Sequence, residues 1–181
     1  MLGHNSGGFL SRFSHALFAR VAYIRDMPYR AATVANRFLE LAKGAGRAIT
    51  PLQLMKLVYI SHGWSLGLRD KPLLEETVEA WKYGPVVPDL YQALKRYGSN
   101  PVTERVPASF WSNEELSAAD QAFVDSVFQQ YGHLNGIQLS HLTHMVGTPW
   151  QQVYQSNVYN IDIPNDLIAA HYKKLRAERT N

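Results

Sequence analysis

Seven histidines, ten tyrosines and no cysteine set the chemical repertoire of this 181-residue chain. The absent thiol excludes a disulfide scaffold, a thiolate nucleophile, Cys-ligated zinc and ordinary iron–sulfur clusters. His141 and His144 stand at i, i+3 and share one face of a helix. Such a pair ligates zinc only if carboxylates complete the shell, and no acid lies between Asp125 and Asp162. The plainer reading makes one of them a buried hydrogen-bonding histidine and the other exposed. Gly63-Trp64-Ser65-Leu66-Gly67 has the letters of a hydrolase nucleophile elbow. An elbow needs a strand-to-helix turn, whereas this pentapeptide lies well inside an apolar helical pattern, so it reads as a chance match. Phosphate-binding glycine loops are absent, and Glu75 and Glu76 fall in a polar turn where solvation is the default. Lys56 poses a different question. It is the lone charge in a long apolar helix, and an isolated buried charge is costly. Glu79, the nearest acid on the strand that follows, is its expected partner in a Lys56–Glu79 pair locking helix to strand. No cofactor is expected.

The elements that must position these residues are mostly helices. Residues 9–25 carry Leu10, Phe13, Leu17, Val21 and Ile24 at helical spacing, an amphipathic helix that ends before Pro28. It serves as a docking helix for the same domain or as a partner-binding arm. A helix follows over 31–43, stopped by Gly44 and Gly46. Thr50-Pro51 supplies an N-cap and a proline at the first helical position. The helix at about 51–68 is apolar on nearly every face and so belongs at the centre of a domain, with Gly63 and Gly67 admitting neighbouring backbone. A short strand is predicted at 77–82, stopped by Gly84-Pro85. Further helices run from Pro88 to Tyr97, from Ser117 to Tyr131, over 137–145, from Thr148-Pro149 to about 155, and from Asp162 or Asn165 to about 177. Ser117 and Asp120 resemble a capping box with Asp in place of Glu. Residues 99–113 read as loop, with an edge strand near Val102. The fold class is mainly α: a compact single-domain multi-helix fold around the buried central helix, with a small strand or hairpin near 77–82.

Charge is scarce, 18% against about 25% in an average soluble domain, and unevenly placed. Residues 1–56 hold eight Lys/Arg and two Asp/Glu, 57–130 hold six and ten, and 131–181 hold four and three, which sums to the net +3. The basic first third admits a nucleic-acid-binding regulator, but no Lys/Arg stripe interleaves with aromatics, and a solvated face is the simpler reading. No apolar run is long enough to span a membrane and no secretory signal is seen, so cytoplasmic residence is expected. From Ser126 to Ile161 there is no Asp, Glu, Lys or Arg, yet Tyr131, Trp150, Tyr154 and Tyr159 fall there. Interface cores are depleted in charge and enriched in aromatics; internal packing is the alternative.

Three stretches carry a resemblance. They are Val34-Ala35-Asn36-Arg37-Phe38-Leu39 with Leu54-Met55-Lys56-Leu57-Val58-Tyr59, then Glu79-Ala80-Trp81-Lys82-Tyr83-Gly84-Pro85-Val86-Val87-Pro88, then Leu139-Ser140-His141-Leu142-Thr143-His144 leading into Pro149-Trp150. Together they resemble the Panacea domain family, also called SocA-like or GepA-like. The resemblance implies a helical domain over 29–181 behind an N-terminal extension of residues 1–28. It also implies a non-enzymatic antitoxin of a bacterial or phage toxin–antitoxin pair, whose partner is a cognate protein toxin neutralised by direct binding. One member of the family delivers its toxin to the ClpXP protease, so an adaptor role comes with the resemblance. The motif positions fall on Lys56, Tyr59, Glu79, Trp81, Tyr83, Gly84, Pro85, Val86, His144 and Trp150, as fold residues or as partner contacts. A metal-dependent enzyme built on His141 and His144 and a nucleic-acid-binding regulator are the rivals.

Overall fold

A computed structural model describes residues 27–107 and 115–180, and the amphipathic segment at 9–25 lies outside them. The order is α1 (Ala31–Gly44), α2 (Pro51–Arg69), β1 (Glu79–Trp81), β2 (Gly84–Val86), α3 (Pro88–Leu94) continued by a 3-10 turn (Lys95–Tyr97), α4 (Ala118–Tyr131), α5 (Gly136–His144), α6 (Pro149–Val153) and α7 (Asn165–Thr180). Helix α2 forms where the sequence places it. Thr50 Oγ1 accepts from the Gln53 N–H at 3.4 Å, Pro51 needs no donor partner at the first position, and Asp70 ends the helix in the left-handed region at φ 55°. Every residue from Gln53 to Gly67 is buried, with α1, α3, α4, α5 and α7 packed around it.

A helix buried on all sides must answer for its polar groups. Ser61 Oγ donates to the Leu57 carbonyl and Ser65 Oγ to the Lys71 carbonyl. Gln53 Nε2 donates to Leu134 O at 2.8 Å. His62 is fully buried; its Nδ1 accepts from the Leu74 N–H and its Nε2–H donates to Asn165 Oδ1. Burial lowers the His62 pKa, consistent with a neutral ring saturated on both nitrogens. Gly63 and Gly67 make room for α7. A Cβ on Gly63 would lie 2.1 Å from the Tyr172 ring, and one on Gly67 would meet Tyr172 Cβ and its backbone carbonyl carbon. Ser65, buried in this helix and bonded at both ends, is no nucleophile elbow.

The strand expected at 77–82 is the first half of a hairpin. Gly84 and Pro85 do not stop it; they pair back on it, with Glu79 opposite Val86 and Trp81 opposite Gly84. Proline fits here because Ala80, its cross-strand neighbour, sends its own N–H away to Ile161 O at 2.8 Å. The 80/85 pair is therefore a non-hydrogen-bonded one that asks proline for no donor. Ile163 N–H donates to Val78 O at 2.7 Å, so 161–163 covers the outer edge of β1. Gly84, at φ +104°, closes the two-residue turn Lys82-Tyr83.

The remaining caps refine the expected boundaries. Ser117 Oγ accepts from Asp120 N–H as a cap should, but the Asp120 carboxylate does not reach back to the Ser117 N–H. Tyr29 Oη takes that N–H at 3.1 Å. Asp120 accepts instead from Tyr29 Oη at 2.8 Å, Arg69 Nη1 at 2.6 Å and Ser117 Oγ at 2.7 Å, tying the start of the described chain to α2 and α4. Asn135 and Gln138 form a reciprocal capping box on α5, which begins at Gly136, one residue ahead of the start expected at 137. Asn165, not Asp162, opens α7. Val102 makes one backbone bond, to Ile49 O, and no strand forms there among the described residues. No helix among the described residues is long and apolar enough to cross a membrane.

Candidate functional site

The hairpin is clamped between α2 and the α5–α6 pair, and nine of the ten motif residues gather there. Trp150, on α6, donates its indole N–H to Trp81 O at 2.7 Å. Its ring lies 3.9 Å from that of His144 and stacks on Tyr154 at 4.5 Å. Trp81 meets Tyr91 of α3 edge-on at 4.8 Å, and its own indole N–H donates to Glu79 Oε2 at 2.7 Å. His144 Nδ1 lies 2.5 Å from Ser140 O, an atom that only accepts, so that nitrogen carries the proton. Ser140 Oγ donates to Tyr83 O at 3.2 Å, a second tie between α5 and the turn. Gly84, Pro85 and Val86 are buried beneath, whereas Tyr83 stands out at the turn, 68% exposed.

Lys56 sits under this hairpin, fully buried, and the expected pair with Glu79 does not form. Glu79 Oε2 is taken by Trp81, and Lys56 Nζ donates to Pro85 O at 3.0 Å. The reason is geometric: Lys56 runs toward β2, where a Cβ on Gly84 would lie 2.5 Å from Nζ and 2.8 Å from His144 Cε1. The lysine therefore reaches a backbone carbonyl, and burial without a counter-charge pushes its pKa from 10.5 down to about 7.

Tyr59 is the motif residue set apart. One turn along α2 from Lys56, it is buried against α7 instead of the hairpin, with its ring edge-on to Tyr172 at 6.4 Å, and burial raises its pKa. It lines a cavity of about 340 Å³ whose mouth carries Leu142, Met145 and Val146. His141 is exposed and His144 lies against Trp150. Among the described residues no group of three or more His, Asp or Glu is placed to hold a metal ion.

The charge-free stretch has a definite outward side. Six of the nine exposed large apolar side chains among the described residues belong to it: Ile137, Leu142, Met145, Val146, Val158 and Tyr159. Four of them are on α5 or just after it, with Val146 94% and Ile137 77% exposed. Helix α5 is thus a ridge with the 340 Å³ cavity beside its C-terminal end, at Leu142 and Thr143, and a cleft of about 770 Å³ beside its N-terminal end, shared by Ile137 and Tyr83. The sequence pattern marks the stretch but not this ridge. The available signal was apolar residues on α5 in excess of Leu139, which alone fills the core position.

Comparisons with known proteins identify the family. The family described as antitoxin SocA-like, Panacea domain matches residues 54–151, from within α2 to Gln151 in α6, and the chain belongs to that family. It is similar to Antitoxin SocA of Caulobacter vibrioides (strain NA1000 / CB15N), with 30% identity over 130 residues, 68% of this chain and 69% of that protein. No solved structure matches the chain.

Proposed function

We propose that the chain is an antitoxin that neutralises a cognate protein toxin by binding it directly, and that the α5 ridge is the face it uses. The observation that carries the reading is the concentration of exposed apolar side chains on one uncharged stretch of a family member. Surfaces of that composition pack against partners, with a few aromatic or aliphatic anchors supplying most of the affinity. The similarity to a protein named Antitoxin SocA supports the same reading. The motif residues act mainly behind this face: Trp81, His144 and Trp150 hold the hairpin and α5 in register, and Tyr83 alone among them is strongly exposed.

Co-expression with its cognate toxin, sought among the genes adjacent to its own, tests the proposal. Growth is expected to be restored and a complex to co-purify; a neighbour that stays toxic beside soluble antitoxin refutes it. Repeating the experiment in cells without ClpX separates two mechanisms. Binding alone protects both strains, whereas delivery to ClpXP protects only the strain with the protease. The rival reading, nucleic-acid binding through the basic first third, draws less support. Arg30 pairs with Glu75, Arg37 is held by both Asp125 oxygens, and Lys56 is buried.

A further inference from the structure

The cleft beside the hairpin, about 770 Å³, has apolar walls and an unusual floor. Leu52, Met55, Trp81, Tyr83, Val86 and Ile137 supply the walls. Two amines line it, Lys56 at the bottom and Lys82 at the rim, and no Asp or Glu does. An ammonium has three N–H donors, and Lys56 has one acceptor, Pro85 O. The charged and titratable groups around it do not make up the difference. From the hairpin come Lys82, Tyr83 and a Glu79 already engaged by Trp81; from α5 comes His144; from α3 comes Tyr91. A fully buried amine with two donors unmet, in an apolar cleft whose only charges are positive, is complementary to an incoming carboxylate.

We propose that this cleft is the anchor point of the partner interface and takes, from the toxin, an apolar side chain flanked by a carboxylate that draws the Lys56 ammonium off Pro85 O. The proposal rests on the antitoxin reading for the identity of the partner, but its chemistry is a property of this chain alone. Lys56 lines the cleft, and its four-carbon stem gives the ammonium the freedom to turn toward an incoming carboxylate. The apolar side chain would lie among Trp81, Tyr83 and Ile137, and Lys82, exposed and screened by water at the rim, adds little to the preference.

The probe is 3-phenylpropanoate compared with its uncharged amide, each titrated into the full chain and followed by tryptophan fluorescence and NMR shifts. At pH 6.5 the acid is expected to bind about ten-fold more tightly than the amide. At pH 9.5 the preference is expected to vanish, because the free amine is neutral there. Lys56→Met is expected to bind acid and amide alike. Tyr83→Ala, at an exposed turn, is expected to weaken both equally. Should Lys56→Met fail to fold, the wild-type pH comparison decides the matter without it. Equal binding of acid and amide by the wild type at pH 6.5, a preference that survives Lys56→Met, or indifference to Tyr83→Ala overturns the proposal. None of these outcomes touches the antitoxin reading, which stands or falls on co-expression.

Discussion

Replacing Lys56 by Met is expected to stabilise the protein at pH 6, and the gain is expected to shrink as the pH rises. Methionine matches the volume of the lysine stem and carries no charge. It forfeits the hydrogen bond to Pro85 O, a pH-independent loss of about 1 kcal/mol. Against that stands the cost of a buried, uncompensated ammonium. Burial holds the folded-state pKa at about 7, against 10.5 in the unfolded chain. Between those values the unfolded chain binds the proton and the folded one does not, so wild-type stability rises with pH. At about 1.36 kcal/mol per pH unit, the rise from pH 6 to pH 9 is roughly 2.7 kcal/mol. The variant lacks this slope. It should exceed the wild type by about 1–4 kcal/mol at pH 6, with the gap closing by roughly 2.7 kcal/mol at pH 9. Urea unfolding at pH 6, 7.5 and 9, extrapolated linearly to water, measures it. A gap constant to within about 0.5 kcal/mol across that range, or a variant less stable by about 3–5 kcal/mol at pH 6, as loss of a buried ion-pair partner would produce, refutes the reasoning.

Other perturbations probe the remaining joints. Gly63→Ala drives a methyl into the Tyr172 ring and should cost about 1–3 kcal/mol or more by thermal melting, whereas Gly44→Ala, with open space around it, should change little. Asp120→Ala removes the acceptor shared by Tyr29, Arg69 and Ser117 and should cost about 3–5 kcal/mol in urea. Burial raises the Asp120 pKa, but the hydrogen bonds from Ser117, Arg69 and Tyr29 outweigh it and leave the pKa below 3.8. Its stabilisation is therefore complete above that value and lost as the pH falls below it, an acid limb the Ala variant should lack. Val146→Asp and Ile137→Glu, at 94% and 77% exposed positions, should leave stability within about 0.5 kcal/mol. Each should weaken the toxin complex about ten-fold or more by calorimetry.

The sequence was most legible where a local rule and the global fold agree. Thr50-Pro51, Thr148-Pro149 and Gly132 mark helix ends by their own chemistry, and the all-round apolarity of α2 could only mean a central position. It was least legible where the outcome depends on which of two partners is nearer in space. Ser117 and Asp120 had the letters of a capping box, yet Tyr29, 91 residues from Asp120, took one half of it. Gly84-Pro85 had the letters of a stop, yet Pro85 falls opposite Ala80, whose backbone bonds outward to the 161–163 segment, so the pairing asks proline for no N–H.

Lys56 shows the same limit and gives it a functional meaning. The sequence states that a charge is buried, but chain order cannot say which atom answers it, and the acid nearest in sequence is tied to an indole two residues away. What the fold provides in place of that acid is a carbonyl at 3.0 Å and an apolar cleft free of carboxylates. A protein whose only task at this position was stability would do better with a hydrophobic residue, which is the content of the Lys56→Met prediction. If that variant is more stable at pH 6 yet no longer distinguishes an acid from its amide, the lysine is kept at the expense of the fold. The counter-charge it lacks then comes from the partner.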